Sequence, residues 1–418
     1  MTPQSAALFM YNLALLPIIF FSVLFILLSL INLFVDNDKK IKYRKMKEYP
    51  FVSIQIPTFN DPVAERCLKQ CMKFDYPRNR YEIIIADDST NTATQKLLKG
   101  YADKNLAFIK YIHRDNRENF KPGALMNALS QAKGEILVIF DSDWIPRKDF
   151  LKKIIEPFSD PKVSIVQSRQ GVYNQKTNLI TRFASYLIMI HHLVIMPIGN
   201  KINCVFFCGT GGAIRKSVLE EADGWNVDSI TEDSDLSVNL LLQGHKSVYL
   251  DFETPSEVPD SFEGFIKQQM RWCYGNTRVF FDNALGIMFM GKIGIRQRLL
   301  ILYITLGNII APVVVVMTFF GFAGWFLGEI TLFRAGDLIP LFNKFLYTSG
   351  FFFMGILTLY KKRQLGELPY LLLAGFTIGI VLAVANSIAF LRAVTNKKLQ
   401  WFCTPKLAND RFFKNESS

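Results

Sequence analysis

The sequence predicts an α/β domain built on a mostly parallel sheet, joined to an α-helical transmembrane region. Three observations carry this. Between Pro50 and Val248, short apolar runs alternate with helix-period segments, as in a sheet covered by helices on both faces. Apolar runs of membrane-spanning length flank that region on both sides. Half of the 418 residues are hydrophobic and 37 are Phe, a richness that fits an integral membrane protein.

The run Leu8–Val35 contains no basic side chain, and DNDKKIKYRKMK (Asp36–Lys47) follows it with six. Basic clusters mark the cytosolic flank of a span. Residues 1–36 are therefore expected to form a transmembrane signal anchor, with the chain cytosolic from Lys39 onward. A cleavable signal peptide fits less well, because the run is long and lacks a basic n-region and a small-residue cleavage site. The net charge of +12 does not point to nucleic acid. A nucleic-acid surface would interleave basic and aromatic residues on a folded face, not gather them at the membrane border.

VSIQIPTF, YEIIIADD, LAFIKYI, EILVIFD and VSIVQS read as strands, with DPVAERCLKQCMKF, TATQKLLKGYA, PGALMNALSQA and DFLKKIIEPF as the helices between them. Cys67 and Cys71 lie one helical turn apart, where buried thiols packing a helix explain them better than zinc or a disulfide in a reducing cytosol. FASYLIMIHHLVIMPI (183–198) is short for a span and is expected to belong to the α/β domain. Its His191–His192 pair is expected to pack or hydrogen-bond rather than bind metal.

Ligands of parallel sheets bind beyond the carboxyl ends of the strands. Asp87–Asp88 and Asp141 with Asp143 fall at such ends. The carboxylates of Asp141 and Asp143 are hard oxygen ligands, suited to Mn²⁺ or Mg²⁺ completed by substrate phosphates. Lys121 opens a helix whose N-terminal amides also favour an anion. Asp87 and Asp88 would then meet the nucleoside of the same ligand. No P-loop or G-x-G-x-x-G is present, which argues against an ATPase, a kinase or a dinucleotide oxidoreductase.

A third acidic cluster, TEDSDL (Thr231–Leu236), opens another helix. If the bound donor is a nucleotide sugar, inverting transfer needs a base opposite the leaving phosphate, and Asp233 is the candidate. A carboxylate there can also serve the helix dipole, a role open to Glu232 or Asp235 as well. In KQQMRW (Lys267–Trp272), Arg271 suits a departing diphosphate and Trp272 offers a face for an acceptor sugar. Gln268 and Gln269 can bond hydroxyls or hold the helix in place.

DDS at 87–89, DSD at 141–143, TED at 231–233 and QQMRW at 268–272 resemble, in order, the D, D, D, Q(Q/R)xRW signature of membrane-embedded family 2 glycosyltransferases, which include cellulose and plant mannan synthases. IPTFN, FDSDW and TEDSDLSVNLLLQGHKSVYL look most similar to the mannan-synthase-like branch. The resemblance covers about residues 50–280. It implies a GT-A domain, Rossmann-like, over 48–280, and metal-dependent inverting transfer from a UDP- or GDP-sugar. It places Thr58, Asn60, Asp87, Asp88, Lys121, Asp141, Gln268 and Arg271 on the donor, and Asp141 and Asp143 on the metal. Trp272, Cys208, Gly209 and Glu232 fall to the acceptor, through FFCGTGGAIR (Phe206–Arg215), similar to a loop that touches the growing polymer. DDST replaces the DDG or DDGS of many members, at the nucleoside contacts.

Leu299–Leu327 and Leu338–Tyr360 read as spans, with RQR (296–298) and KKR (361–363) keeping their ends cytosolic. WFCTPK (Trp401–Lys406) resembles the family's gating loop, which implies nucleotide contacts for Thr404 and Lys406 in a cytosolic tail, 397–418. Leu368–Val394 is then an interfacial or re-entrant helix within a membrane region spanning 281–396. These readings converge on a multi-pass enzyme of the cell membrane with a cytosolic catalytic domain. It would extend a β-linked polysaccharide processively and couple extension to export. Three or four hydrophobic segments are few for a complete channel, which keeps open a homo-oligomer or, alternatively, a ceramide-glucosylating type of lipid glycosyltransferase. A sensor or transporter without turnover fits poorly with the complete acidic set and Arg271.

Overall fold

The computed structural model describes residues 2–35, 43, 48–328 and 347–399. Seven strands form one sheet in the order β3-β2-β1-β4-β6-β5-β7. They are β1 (Val52–Thr58), β2 (Tyr81–Asp87), β3 (Ile109–His113), β4 (Ile136–Ile139), β5 (Val163–Val172), β6 (Gly212–Arg215) and β7 (Lys246–Ser256). Only β6 runs antiparallel to its neighbours. The sheet is thus mostly parallel, as the continuous apolar runs predict.

Alternation along each strand explains why those runs are apolar throughout. Ile54, Ile56, Ile83, Ile85 and Val138 pack into one buried layer. Their neighbours Ile84, Leu137 and Ile139 pack into the layer on the opposite face. Side chains of successive strand residues point to opposite faces, so a sheet covered on both needs an apolar residue at every position. Cys67 and Cys71 are fully buried in the first layer.

Two features lay beyond the sequence reading. β6 sits within FFCGTGGAIR and is four residues long, too short to show a period. β7, not among the strands read from the sequence, runs on to Ser256, past the end of the alternating region near Val248. Its final residues are polar and pair with the far end of β5 after a register shift between Ser168 and Arg169.

The helix Pro3–Leu33 has 31 residues, about 46 Å at 1.5 Å each, ample for a bilayer. Ile295–Phe326 is also long and apolar enough to cross one. Leu365–Phe376 and Ile378–Val394 form a pair bent by 47°. Gly350–Lys361 is a shorter apolar helix, and the first part of the expected span 338–360 lies outside the described residues. Leu179–Lys201 also has spanning length, yet 72% of its most apolar stretch is buried inside the protein. It packs through Phe183, Tyr186 and Leu193 against Phe265, Leu359 and Leu371. His192 is buried within it, and its carbonyl accepts a 2.7 Å hydrogen bond from the Tyr249 hydroxyl.

Candidate active site

A cavity of about 190 Å³ opens beyond the carboxyl ends of β1 and β4. Thr58, Asp88, Lys121, Asp141, Asp143, Cys208, Glu232, Asp233, Gln268, Arg271 and Trp272 all reach it. Seven separate stretches of chain thus bring their side chains to one place.

β4 ends at Ile139, and the turn after it presents Asp141 and Asp143. Asp143 is 2% exposed, and its Oδ2 accepts the Glu257 amide at 3.0 Å. Arg66 ties the two together, donating to Glu257 Oε1 at 3.0 Å and to the Asp143 carbonyl at 3.3 Å. Ser142 donates its hydroxyl to Asp61, which also lines the cavity.

Lys121, in the first turn of the helix Phe120–Gln131, is the cation between the acidic groups. Its Nζ lies 2.8 Å from Asp141 Oδ1, 3.6 Å from Glu232 Oε1 and 3.0 Å from the Gly209 carbonyl. Burial disfavours its charge, but Asp141, Glu232 and Asp233 outweigh burial and hold the ammonium protonated well above the usual lysine range.

The helix Glu232–Leu242 carries the TED cluster at its first turn. Its acidic residues divide by position. Asp235 is buried and accepts the side-chain amides of Asn226 at 3.0 Å and Asn239 at 3.3 Å, so it holds structure. Asp233 faces the cavity and accepts the Ser234 amide at 2.8 Å. Burial, reinforced by Glu232, pushes the Asp233 carboxyl up to about 7, against the pull of Lys121, the Ser234 amide and Arg271. A carboxyl so poised can accept a proton near neutral pH.

The QQMRW helix (Phe262–Leu285) starts with a Ser261 cap, whose hydroxyl accepts the Gly264 amide at 3.2 Å. Gln268, Arg271 and Trp272, spaced three and four apart, share the helix face toward the cavity. Gly275, one turn on, permits close approach to the TED helix: a Cβ there would lie 2.3 Å from Thr231. The far face is held by the helix Ile378–Val394, through Cys273 and Tyr274 against Ala389, Phe390 and Ala393.

Some expected site residues stand back from the cavity. Asp87 is fully buried and turned toward β3, accepting the Tyr111 hydroxyl at 2.6 Å and the Ser89 amide at 2.9 Å. Asp88 reaches the cavity already gripped by the Arg114 fork, at 2.8 and 2.6 Å. Asn60 clasps the DDST turn, its Oδ1 accepting the amides of Thr90 at 2.9 Å and Asn91 at 2.8 Å. Ser89 accepts the Asn60 amide at 2.7 Å, which gives the departure from DDG a local role. Gly209 touches the site from behind Asp233 and Lys121. Thr404 and Lys406 lie outside the described residues.

Phe59, Asp61, Arg117, Thr210, Thr231 and Glu257 line the cavity without having been singled out in the sequence. Asp61 carried a signal, as a carboxylate just past β1. Glu257 was hidden by the unexpected length of β7, and Arg117 sits in a loop with no motif.

Residues 50–275 match the model of the family "Glycosyltransferase like family 2". Glucomannan 4-beta-mannosyltransferase 9 of Arabidopsis thaliana is 32% identical over 299 residues, covering 66% of this chain and 56% of that protein. A probable glucomannan 4-beta-mannosyltransferase 7 of Oryza sativa subsp. japonica is 31% identical over 281 residues, covering 64% and 48%. The chain spans about half the length of the curated relatives it matches. A Pyrobaculum calidifontis mannosyltransferase, solved in complex with GDP-Man and Mn²⁺, superposes with a TM-score of 0.64 over 95% of this chain and 100% of that one. At 18% identity that likeness speaks for the fold alone. With its family match over more than half its length and its mostly parallel sheet, the chain belongs to the family 2 glycosyltransferases and has a GT-A domain joined to apolar helices.

Proposed function

We propose that the chain is a membrane-bound, inverting hexosyltransferase that moves a sugar from a UDP- or GDP-sugar onto a growing β-linked polysaccharide. The observation carrying this reading is that Asp233 shares one cavity with Lys121, Asp141, Asp143, Arg271 and Trp272. A base, a set of cations for a leaving diphosphate and an aromatic platform are the parts this reaction needs.

In the proposed step the acceptor hydroxyl oxygen attacks the anomeric carbon as its bond to the diphosphate oxygen breaks. Asp233 takes the hydroxyl proton, and the electron pair of the broken bond leaves with the diphosphate. Lys121 and Arg271 face the charge that develops there. Trp272 holds the acceptor ring, beside Cys208 and Glu232, while Gln268 bonds donor or acceptor oxygens. Gly209 keeps the backbone close behind the base.

Asp141 and Asp143 fit a divalent ion, Mn²⁺ or Mg²⁺, since both are carboxylates facing the same cavity. Among the described residues no three His, Cys, Asp or Glu come together as ligands. Substrate phosphates would therefore complete the coordination, as is usual for Mg²⁺. The ion would neutralise the diphosphate charge.

The membrane arrangement follows the same reading. Pro3–Leu33 and Ile295–Phe326 anchor the chain, the GT-A domain lies in the cytosol, and the QQMRW helix rests at the inner surface. The bent pair ending at Val394 is taken as a re-entrant element under that helix. Repeated addition without release would thread the product outward between these helices, in one subunit or in a homo-oligomer.

The test supplies membranes with UDP-glucose, UDP-N-acetylglucosamine, UDP-galactose or GDP-mannose, each alone, and sizes the product. A polymer from one donor supports the proposal. A single-sugar glycolipid would replace it with lipid glycosylation, and no incorporation from any donor would contradict both.

A further inference from the structure

We infer that Arg117, oriented by Phe59, reads the base of the nucleotide donor and selects guanine over uracil; this rests on the donor reading above. The sheet order sets which side of the cavity the base can occupy. Asp141 and Asp143 follow β4, Phe59 follows β1 and Asp88 follows β2, and these three strands are neighbours. Asp233, Cys208 and Trp272 come from the helices and loop beyond the other side of β4. With the diphosphate at Lys121 and Asp141 and the sugars toward Asp233, the nucleoside is left the β1–β2 side, about 5 Å further along per strand.

The side chains there form a reader. The Arg117 guanidinium lies 3.3 Å from the centre of the Phe59 ring, with Phe120 on it at 5.1 Å. Both Phe59 and Arg117 line the cavity. Asn119 and Phe120 have φ of 57° and 47°, a left-handed backbone that non-glycine residues rarely adopt. Such strained positions collect at ligand sites. Arg114 nearby is committed to Asp88 and to the carbonyls of Glu118 and Phe120. Arg117, among the described residues, has no carboxylate partner and no side-chain hydrogen bond.

A guanidinium fixed by stacking presents two parallel donors along its edge. Guanine offers two adjacent acceptors, O6 and N7, on one edge, whereas adenine sets a donor beside its N7. Uracil has no ring nitrogen corresponding to N7. The fork therefore matches guanine. Lys121 and Arg271 already face the diphosphate, so a further phosphate contact would need only a point charge at 117.

The test is titration calorimetry on the full-length protein in nanodiscs with Mn²⁺, using GDP, IDP and UDP. The wild type should bind GDP more tightly than UDP, and IDP, which keeps O6 and N7, should bind like GDP. Arg117→Ala and Arg117→Lys should each weaken GDP binding about tenfold or more and leave UDP binding unchanged, which also shows that the variants are folded. Equal or tighter UDP binding by the wild type overturns the inference. So does parallel loss of both nucleotides in Arg117→Ala, or retained GDP binding in Arg117→Lys, which would mark a phosphate contact. If the wild type binds neither nucleotide, the donor reading falls and takes this inference with it.

Discussion

Gly209 is pressed against Asp233: a Cβ on Gly209 would lie 2.9 Å from Asp233 Oδ2 and 3.3 Å from Lys121 Nζ. Its φ is +74°, where any side chain is strained. Gly209→Ala should therefore displace the proposed base and its neighbouring cation together. Transfer should fall at least about tenfold, with about 1–2 kcal/mol lost in stability. Gly100→Ala is the control, since nothing lies within 4 Å of its Cβ position in the helix Thr92–Asp103. There the exchange should stabilise by about 0.5–1 kcal/mol. Initial rates and melting temperatures of the two variants check both expectations.

The raised Asp233 carboxyl predicts a pH profile. With burial holding it up to about 7, the carboxyl is protonated and unable to act as a base at lower pH. The rate at saturating donor and acceptor should climb through that region and level off above it. A rate independent of pH between mildly acidic and mildly alkaline conditions would argue for another base.

Asp141→Ala or Asp143→Ala should remove metal-dependent donor binding, and EDTA should do the same to the wild type. Without the ion, a diphosphate would meet carboxylates with too little counter-charge. Nucleotide affinity measured with and without Mn²⁺ checks this, and equal values would exclude a metal at the DSD pair.

Arg271 and Trp272 should separate in function. Arg271→Ala should lower both transfer and donor hydrolysis, because the leaving diphosphate is common to the two. Trp272→Ala should weaken acceptor use while sparing hydrolysis by water. Nucleotide release with and without acceptor distinguishes them. Equal losses in a folded Trp272→Ala protein would reduce the indole to packing against the apolar cluster that contains Phe183, Val258 and Phe265.

The sheet was legible where burial on both faces forced continuous apolar runs, as in Ile83–Ile84–Ile85 of β2. It was illegible at β6, whose four residues are too few for a period, and at the end of β7, where Thr254 and Ser256 are buried polar residues held by pairing with β5. Most of the candidate site came from carboxylates at strand ends and from the i, i+3, i+4 face of QQMRW. Asp87 shows the limit of that reasoning: it follows an apolar strand like Asp141 does, yet its oxygens are used by Tyr111 and Ser89. Arg66, Glu257 and Arg117 depend on contacts across the fold, which no local pattern encodes.

The most direct measurement is Asp233→Asn in membranes, comparing donor binding with transfer. The amide keeps the shape of the side chain and cannot accept the acceptor's proton, so transfer should drop by about 10²-fold or more while donor still binds. Full transfer activity in the Asp233→Asn protein would contradict the account.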